Sequence, residues 1–313
     1  MTSPRNDSFH EPVLADAIVR LLATNRSGAY LDLTVGGGGH LERLAEAVDR
    51  DAHLYGLDRD VEAVTHATQR LRQYDAVRDI VHAAFSDIQS AVARFDVSTF
   101  DGILLDLGVS SHQIDDPSRG FAFQQDGPLD MRMDPTAGQS AADLINSADE
   151  KELAVIIRDY GEERQAARLA REIVRERQNG MIRTTAQLSE IVNRIAAGPH
   201  RIKSLARVFQ AFRIVVNREL DELRTVLPAA VSILSPSGRL AVISYHSLED
   251  RIVKRFFQAE ARPPQEHRPG ELVPHYPDPR LRLISRKPIR PEPSEQTRNP
   301  RARSARLRVA EKV

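Results

Sequence analysis

Three short stretches of this chain carry side chains whose types and spacing could do chemistry. The first runs from Leu31-Asp32-Leu33-Thr34-Val35 straight into Gly36-Gly37-Gly38-Gly39-His40. Glycines at a sharp strand-to-helix turn permit positive φ and let a ligand approach the backbone with no Cβ in the way. No Lys-Ser/Thr follows, so the run is not a P-loop. Asp58 comes 22 residues after Gly36, close to the roughly 20-residue spacing at which a carboxylate accepts hydrogen bonds from an adenosine ribose. Together these point to a nucleotide-containing ligand, without separating a nicotinamide dinucleotide from S-adenosylmethionine. A bare glycine run also fits an ordinary loop.

The second stretch, Asp106 to Gln113 (DLGVSSHQ), closes an apolar segment, and the third, Tyr245-His246-Ser247, closes another. Polar groups at the carboxyl ends of central strands lie in the crevice where open sheets bind ligands. Phe85 stands after a further strand-like segment, placed either to stack on a base or to fill the core.

Elements that would position these groups alternate through the first half. Strands are expected at Ala29–Val35, His53–Leu57, Ile80–Phe85 and Phe100–Leu107, with helical periodicity over His40–Val48 and again along Val61, Val64, Ala67, Thr68 and Leu71. Such alternation predicts a parallel sheet, its central strands apolar because both faces are covered. The rhythm stops at Asp115, and helical patterns follow to about Pro199, one with the apolar stripe Ala166, Leu169, Ala170, Ile173 and Val174. Thr184-Thr185-Ala186-Gln187 reads as a helix start. A long helix near Leu205–Val226 and a buried strand at Arg239–Tyr245 resume the first pattern, and short strands are expected at Leu281–Ser285 and Ala305–Val309. The fold class is therefore α/β, one sheet domain interrupted by a helical insertion.

Composition narrows the chemistry. With no Cys among 313 residues, disulfides, thiolate metal sites and cysteine nucleophiles are excluded. No apolar run approaches the roughly 18 residues of a membrane span, and MTSPRNDSFHEP lacks the apolar core of a signal peptide. The expectation is a soluble cytoplasmic protein. The 44 basic and 44 acidic residues balance overall, but residues 163–224 carry a net +6 and residues 261–313 a net +7, leaving −13 on the remainder. Two basic segments on an acidic body suit a polyanionic partner, and equally suit solvated helix faces.

The segments HEPVL (His10–Leu14), DLTVGGGGH (Asp32–His40), GLDRD (Gly56–Asp60), DGILLDLGVSS (Asp101–Ser111), SRGFAF (Ser118–Phe123), GPLDMRMD (Gly127–Asp134), ISYHSLEDRIVK (Ile243–Lys254) and NPRARSARLR (Asn299–Arg308) occur in that order. Over nearly the whole chain this resembles the bacterial 16S ribosomal RNA cytosine-N4 methyltransferase family, also called MraW or RsmH. The resemblance implies a Rossmann-like, S-adenosylmethionine-dependent methyltransferase sheet formed by residues 1–114 and 200–313, with residues 115–199 an inserted, mostly helical substrate-recognition domain. It implies cofactor contacts at Gly38, Gly39, His40, Asp58, Phe85, Asp106 and Gln113, and no metal. His112 stands where relatives often carry proline, which bears on the turn before Gln113. The substrate it implies is a cytidine in the decoding region of 16S rRNA within the small ribosomal subunit. A homodimer is left open.

The N4 amine of cytosine is a weak nucleophile, its lone pair delocalised into the ring, so catalysis needs positioning and acceptors that orient the amino hydrogens. Asp106 (or a nearby backbone carbonyl) and His246 are expected to face that amine, with Asp130 and Tyr245 ranked below them. Arg168, Arg171, Arg201 and Lys203 are expected to contribute to RNA affinity. Two alternatives stay open on the residues alone: a nicotinamide-dependent oxidoreductase, and a non-catalytic ribosome-assembly factor with a vestigial nucleotide pocket.

Overall fold

The computed structural model describes residues 12–196, 198, 201–262 and 278–313; His10 and Glu11 of the HEPVL segment lie outside them. Two compact units result. One comprises Met1–Gly108 with Leu220–Val313, the other Val109–Glu219.

The first unit is built on a seven-stranded sheet in the order β3-β2-β1-β4-β5-β7-β6. Its strands are β1 (Ala29–Asp32), β2 (His53–Asp58), β3 (Val77–His82), β4 (Phe100–Asp106), β5 (Leu234–Ser244), β6 (Leu281–Leu283) and β7 (Arg306–Lys312). Strands β1 to β5 run parallel to one another, and β7 is antiparallel to both β5 and β6. This is the expected Rossmann-like sheet with one reversed strand. Alternation along the strands explains why the central ones are apolar throughout. Leu31, Leu33, Ile103, Leu105, Leu240 and Val242 join one core with α4 (Ile88–Val92), α11 (Glu219–Ile233) and α12 (Ser247–Ala261). Tyr30, Leu54, Leu104, Ala241 and Ile243 join the other with α1 (Ala15–Leu22), α2 (Gly39–Ala47) and α3 (Val61–Leu71). The reversed β7 is fastened by charge as well as by its ladder. Arg306 and Arg308 both donate to Asp250 of α12, at 3.0 and 2.7 Å, which gives the NPRARSARLR motif an internal use.

The second unit contains α5 (Ser111–Asp115), α6 (Ala141–Ser147), α7 (Glu150–Asp159), α8 (Ala166–Arg177), α9 (Thr185–Ile195) and α10 (Arg201–Val216) around a separate apolar core. Thr184 does start α9, in a capping box with Gln187. The unit is wider than residues 115–199 because Leu205, Val208, Phe209 and Phe212 of α10 belong to its core. The long helix expected near Leu205–Val226 is in fact two, α10 and α11, broken at Asn217-Arg218, where Arg218 takes φ +51°.

Asn217 explains the break. Its side chain turns inward, donating to Met131 O at 2.7 Å and accepting from Met133 N at 2.8 Å. Met131 sits at φ +60°, a conformation that costs a non-glycine residue on the order of 1–3 kcal/mol and persists only where neighbours hold it. Arg119 adds bonds to the carbonyls of Arg132 and Met133, and Gly120, at φ +74°, has no room for a Cβ beside Pro128 O. The segment 117–134 is thus irregular yet braced.

Asn217→Ala leaves two buried backbone groups unpaired and is expected to destabilise the chain by about 2–4 kcal/mol, with faster proteolytic cleavage within 117–134. Urea unfolding followed by circular dichroism measures the first. A loss under about 0.5 kcal/mol, as for an ordinary surface change, would show that Asn217 does not hold the loop.

Candidate cofactor-binding and active site

The order of strands in the sheet reverses between β1 and β4, which opens a crevice at their carboxyl ends. The glycine run leaves β1 there. Gly36 and Gly38 take φ +49° and +82°, and α2 begins at Gly39. A Cβ on Gly38 would press on Leu71 at 3.1 Å, and one on Gly39 on Pro12 at 3.3 Å, so these two glycines let the turn sit against α3 and the chain entering α1. Gly36 differs: a Cβ there would meet only Thr34 O, at 3.8 Å. Gly108, at φ +97° just past β4, is similarly open, with Tyr245 Cδ2 at 3.8 Å.

Asp58 closes β2 beside this turn. Its Oδ2 accepts from Gly36 N at 2.8 Å and its Oδ1 from Asp60 N at 2.9 Å. The 22-residue spacing therefore resolves into a direct bond between carboxylate and glycine loop. Burial pushes the Asp58 carboxyl up to about 6, against the pull of those two N–H donors.

Asp106, at the end of β4, is the most connected of the expected residues. Its backbone N donates to Thr34 Oγ1 at 2.6 Å, its Oδ1 accepts from the Tyr245 hydroxyl at 2.9 Å, and its Oδ2 lies 3.3 Å from His40 Nε2. Thr34 is itself fixed by Asp32, whose Oδ1 accepts from Thr34 N at 3.0 Å and from its hydroxyl at 3.3 Å. Asp32 is wholly buried and its Oδ2 has no partner among the described residues. Burial pushes its carboxyl up to about 6; His40 opposes this, and Asp106 adds to it. His40 is pulled both ways. Burial lowers its pKa, but Asp106 and Asp32 outweigh that and the net shift is upward. Tyr245 is raised well above 10, first by burial and then by Asp106, so it stays a donor.

His246 begins α12 in a capping box with Glu249. Glu249 Oε2 accepts from Tyr245 N at 2.9 Å and His246 N at 3.3 Å, while His246 Nε2 lies 3.1 Å from Glu249 Oε1. One buried carboxylate thus sets the backbone of both residues. Phe85 does not end β3; it opens a 3-10 turn, Phe85–Asp87, and packs partly against the first unit's core. Gln113 belongs to the helical unit, where it is buried in α5 and accepts from Ser110 N at 2.9 Å. Asp130, in the same unit, is taken up by Arg132, at 2.7 Å. Sequence reasoning did not assign Asp32, Thr34 or Glu249. The signal for Asp32 was present: an acidic residue inside a strand whose neighbours are all apolar.

A family model described as the MraW methylase family matches residues 7–313. The ribosomal RNA small subunit methyltransferase H of Burkholderia ambifaria is 48% identical over 319 residues, covering 98% of this chain and 99% of that protein. Its namesake in Syntrophotalea carbinolica is 45% identical over 317 residues, covering 97% and 98%. Among solved structures, one described as a putative rRNA-methylase from Clostridium thermocellum shares 13% identity at a TM-score of 0.44, covering 96% of this chain and 95% of its own.

Two outcomes are expected from the network around Asp106. Ionised Asp32 is held at a cost, because its folded pKa lies above the 3.8 of the unfolded chain. That cost is absent below pH 4 and grows as pH rises through 6. Asp32→Asn, which keeps Oδ1, should gain stability relative to the native chain between about pH 4 and 6 by on the order of 3 kcal/mol and then level off. A difference independent of pH, in urea unfolding of the cofactor-free protein, would refute the assignment. Tyr245→Phe removes one bond to Asp106, and about a tenfold loss of catalytic efficiency is expected. The same change made in Asp106→Ala, which has no acceptor for the hydroxyl, should cost little more; additive losses would mean the tyrosine acts elsewhere.

Proposed function

This chain belongs to the MraW methylase family, and on that premise we propose that it transfers the methyl group of S-adenosyl-L-methionine to the N4 amine of a cytidine in the decoding region of 16S rRNA. What carries the substrate reading is the identity of 45–48% to small-subunit rRNA methyltransferases over at least 97% of the chain.

The residues present fit the cofactor. Gly36 and Gly108 leave room where a Cβ would stand, and the carboxylates of Asp32 and Asp106 make the floor of the crevice favourable to a cation. Asp58 would hold the ribose hydroxyls through the lone pairs its amide bonds leave over, and Phe85 the adenine. Gly38, Gly39 and His40 would take the amino-acid end, with Asp106 beside them. When bound, the cofactor supplies an electrophilic methyl on a sulfonium sulfur.

The chain's own part is positioning. Asp106 would orient the amine through a lone pair left over on its carboxylate, whose Oδ1 holds Tyr245 and whose Oδ2 faces His40, and His246 would face the same amine from the end of β5. A C–S bond breaks, an N–C bond forms, and N4 loses one proton to these acceptors or to water. A stacked base cannot reach such a crevice, so the cytidine must be turned out of its stack. The helical unit would recognise the surrounding RNA, with the small ribosomal subunit as the assembled partner. No helix among the described residues is long and apolar enough to cross a membrane.

Small subunits lacking the modification, incubated with labelled S-adenosylmethionine and digested to nucleosides, should yield N4-methylated cytidine by mass spectrometry. Cofactor binding without any methylated cytidine would overturn the substrate assignment. Binding of a nicotinamide dinucleotide in its place would overturn the cofactor.

A further inference from the structure

The helical unit carries many cations, and several are already neutralised within it. Arg175 pairs with Glu172, Arg194 with Glu172 and Glu176, Arg158 with Asp159, and Arg171 approaches Glu150 at 3.6 Å. Arg177 is spent on the carbonyls of Ile145 and Ala148. Among the described residues, Arg164, Arg168, Arg201 and Lys203 have no carboxylate partner and are exposed, as are Lys151, Arg183 and Arg218 elsewhere in the unit.

These four are gathered by one buried carboxylate. Glu163 is 4% exposed; its Oε2 accepts from Ser204 Oγ at 2.9 Å, its Oε1 accepts from Gln165 N at 3.0 Å, and Arg207 lies 3.6 Å away. Gln210 adds a bond to Tyr160 O at 3.0 Å. Gly161 permits the approach, since a Cβ there would stand 2.7 Å from Arg207 O. The connector 160–165 is thereby stapled to the first turns of α10. Arg164 adjoins Glu163, Arg168 follows one turn later, and Arg201 and Lys203 precede Ser204 by three residues and by one. Between the last two lies Ile202, which at 64% exposure is the most exposed large apolar side chain of the unit.

We propose that this corner is a docking surface for RNA, with Arg164, Arg168, Arg201 and Lys203 on phosphates and Ile202 against an unstacked base or sugar. The inference rests on the small-subunit reading above and sharpens it, because it excludes Arg171 and brings in Arg164. Charge complementarity selects the partner. The corner gathers four cations that make no ion pair among the described residues, around a Glu163 whose carboxylate is already satisfied. Neither α8 nor α10 has an acidic residue in its first turn, so the helix ends add to the positive potential rather than offsetting it. An exposed isoleucine between two cations suits a surface with charged edges and apolar faces, which RNA has and a peptide acid cluster lacks.

The test uses the full chain and unmodified small subunits, with affinity measured across a salt series. Replacing the four cations by Ala should weaken binding about 100-fold or more at low salt and make the slope of log affinity against log salt shallower by roughly 3. Turnover at saturating subunit and the affinity for S-adenosylmethionine should stay within about twofold, placing the loss in KM. Arg171→Ala should leave the slope unchanged. Ile202→Ser should weaken binding several-fold at every salt concentration with the slope intact. An unchanged slope and KM in the fourfold variant would overturn the proposal, and so would a raised KM at constant slope, which would indicate a protein face of the subunit. A native chain that binds subunits but methylates none would refute the proposed function alone, because the salt slopes still decide the corner.

Discussion

The structure of the site depends on how one carboxylate is held. Asp106 ends β4 and receives Thr34 from β1's exit, Tyr245 from β5's exit and His40 from the first turn of α2. These come from three elements separated by up to 139 residues in sequence, and only a sheet in which β1 and β5 flank β4 brings them together. The seven-stranded order is therefore more than a scaffold: it sets the orientation of the group that would meet the substrate. A carboxylate with its backbone and both oxygens engaged has little freedom to rotate. Positioning of this kind is what a reaction at a weak, delocalised amine needs.

Holding that carboxylate has a cost to the fold. Asp32 is removed from water completely, and one of its oxygens finds no donor among the described residues. Burying it lets β1 end in a bond to Thr34, and places a second negative charge beside His40. The imidazole's pKa is then held above its ordinary value despite its burial, because two carboxylates face it. The same trade appears at Asp58, raised to about 6 by burial while it fastens the glycine turn. Sites that bind a cationic ligand through buried carboxylates are less stable without it than an apolar core of the same shape.

Much of this was legible because it is local. The glycine turn, the spacing to Asp58 and the apolar β4 lie within short windows whose periodicity and backbone demands can be read directly. What was not legible is set by partners distant in sequence. Periodicity ran through Asn217 and Arg218 as one helix; the break exists because Asn217 is needed by Met131 and Met133, more than 80 residues away. The domain edge at residue 199 failed to include α10 for a related reason, since its apolar face serves the helical core as readily as it would have served the sheet. Phe85 was read as the end of β3, but the strand stops at His82 and the ring opens a turn. Tyr245 and Asp106 were both singled out as strand-end residues, yet their bond required knowing that β4 and β5 are neighbours.

Charge shows the same limit at a larger scale. Counting residues identifies basic segments, but not which cations are available to a partner. In the carboxyl-terminal segment Arg306 and Arg308 are consumed by Asp250, and Arg282 by Glu311, so part of its surplus holds β7 and β6 in the sheet. In the helical unit the pairs along α8 and α9 remove Arg175 and Arg194 from consideration. Only the cations left over can contribute much to a long-range field, since a paired arginine and its carboxylate cancel beyond a Debye length of about 8–10 Å. A polyanion approaching this chain therefore meets fewer positive charges than its sequence contains, concentrated where folding left them unopposed.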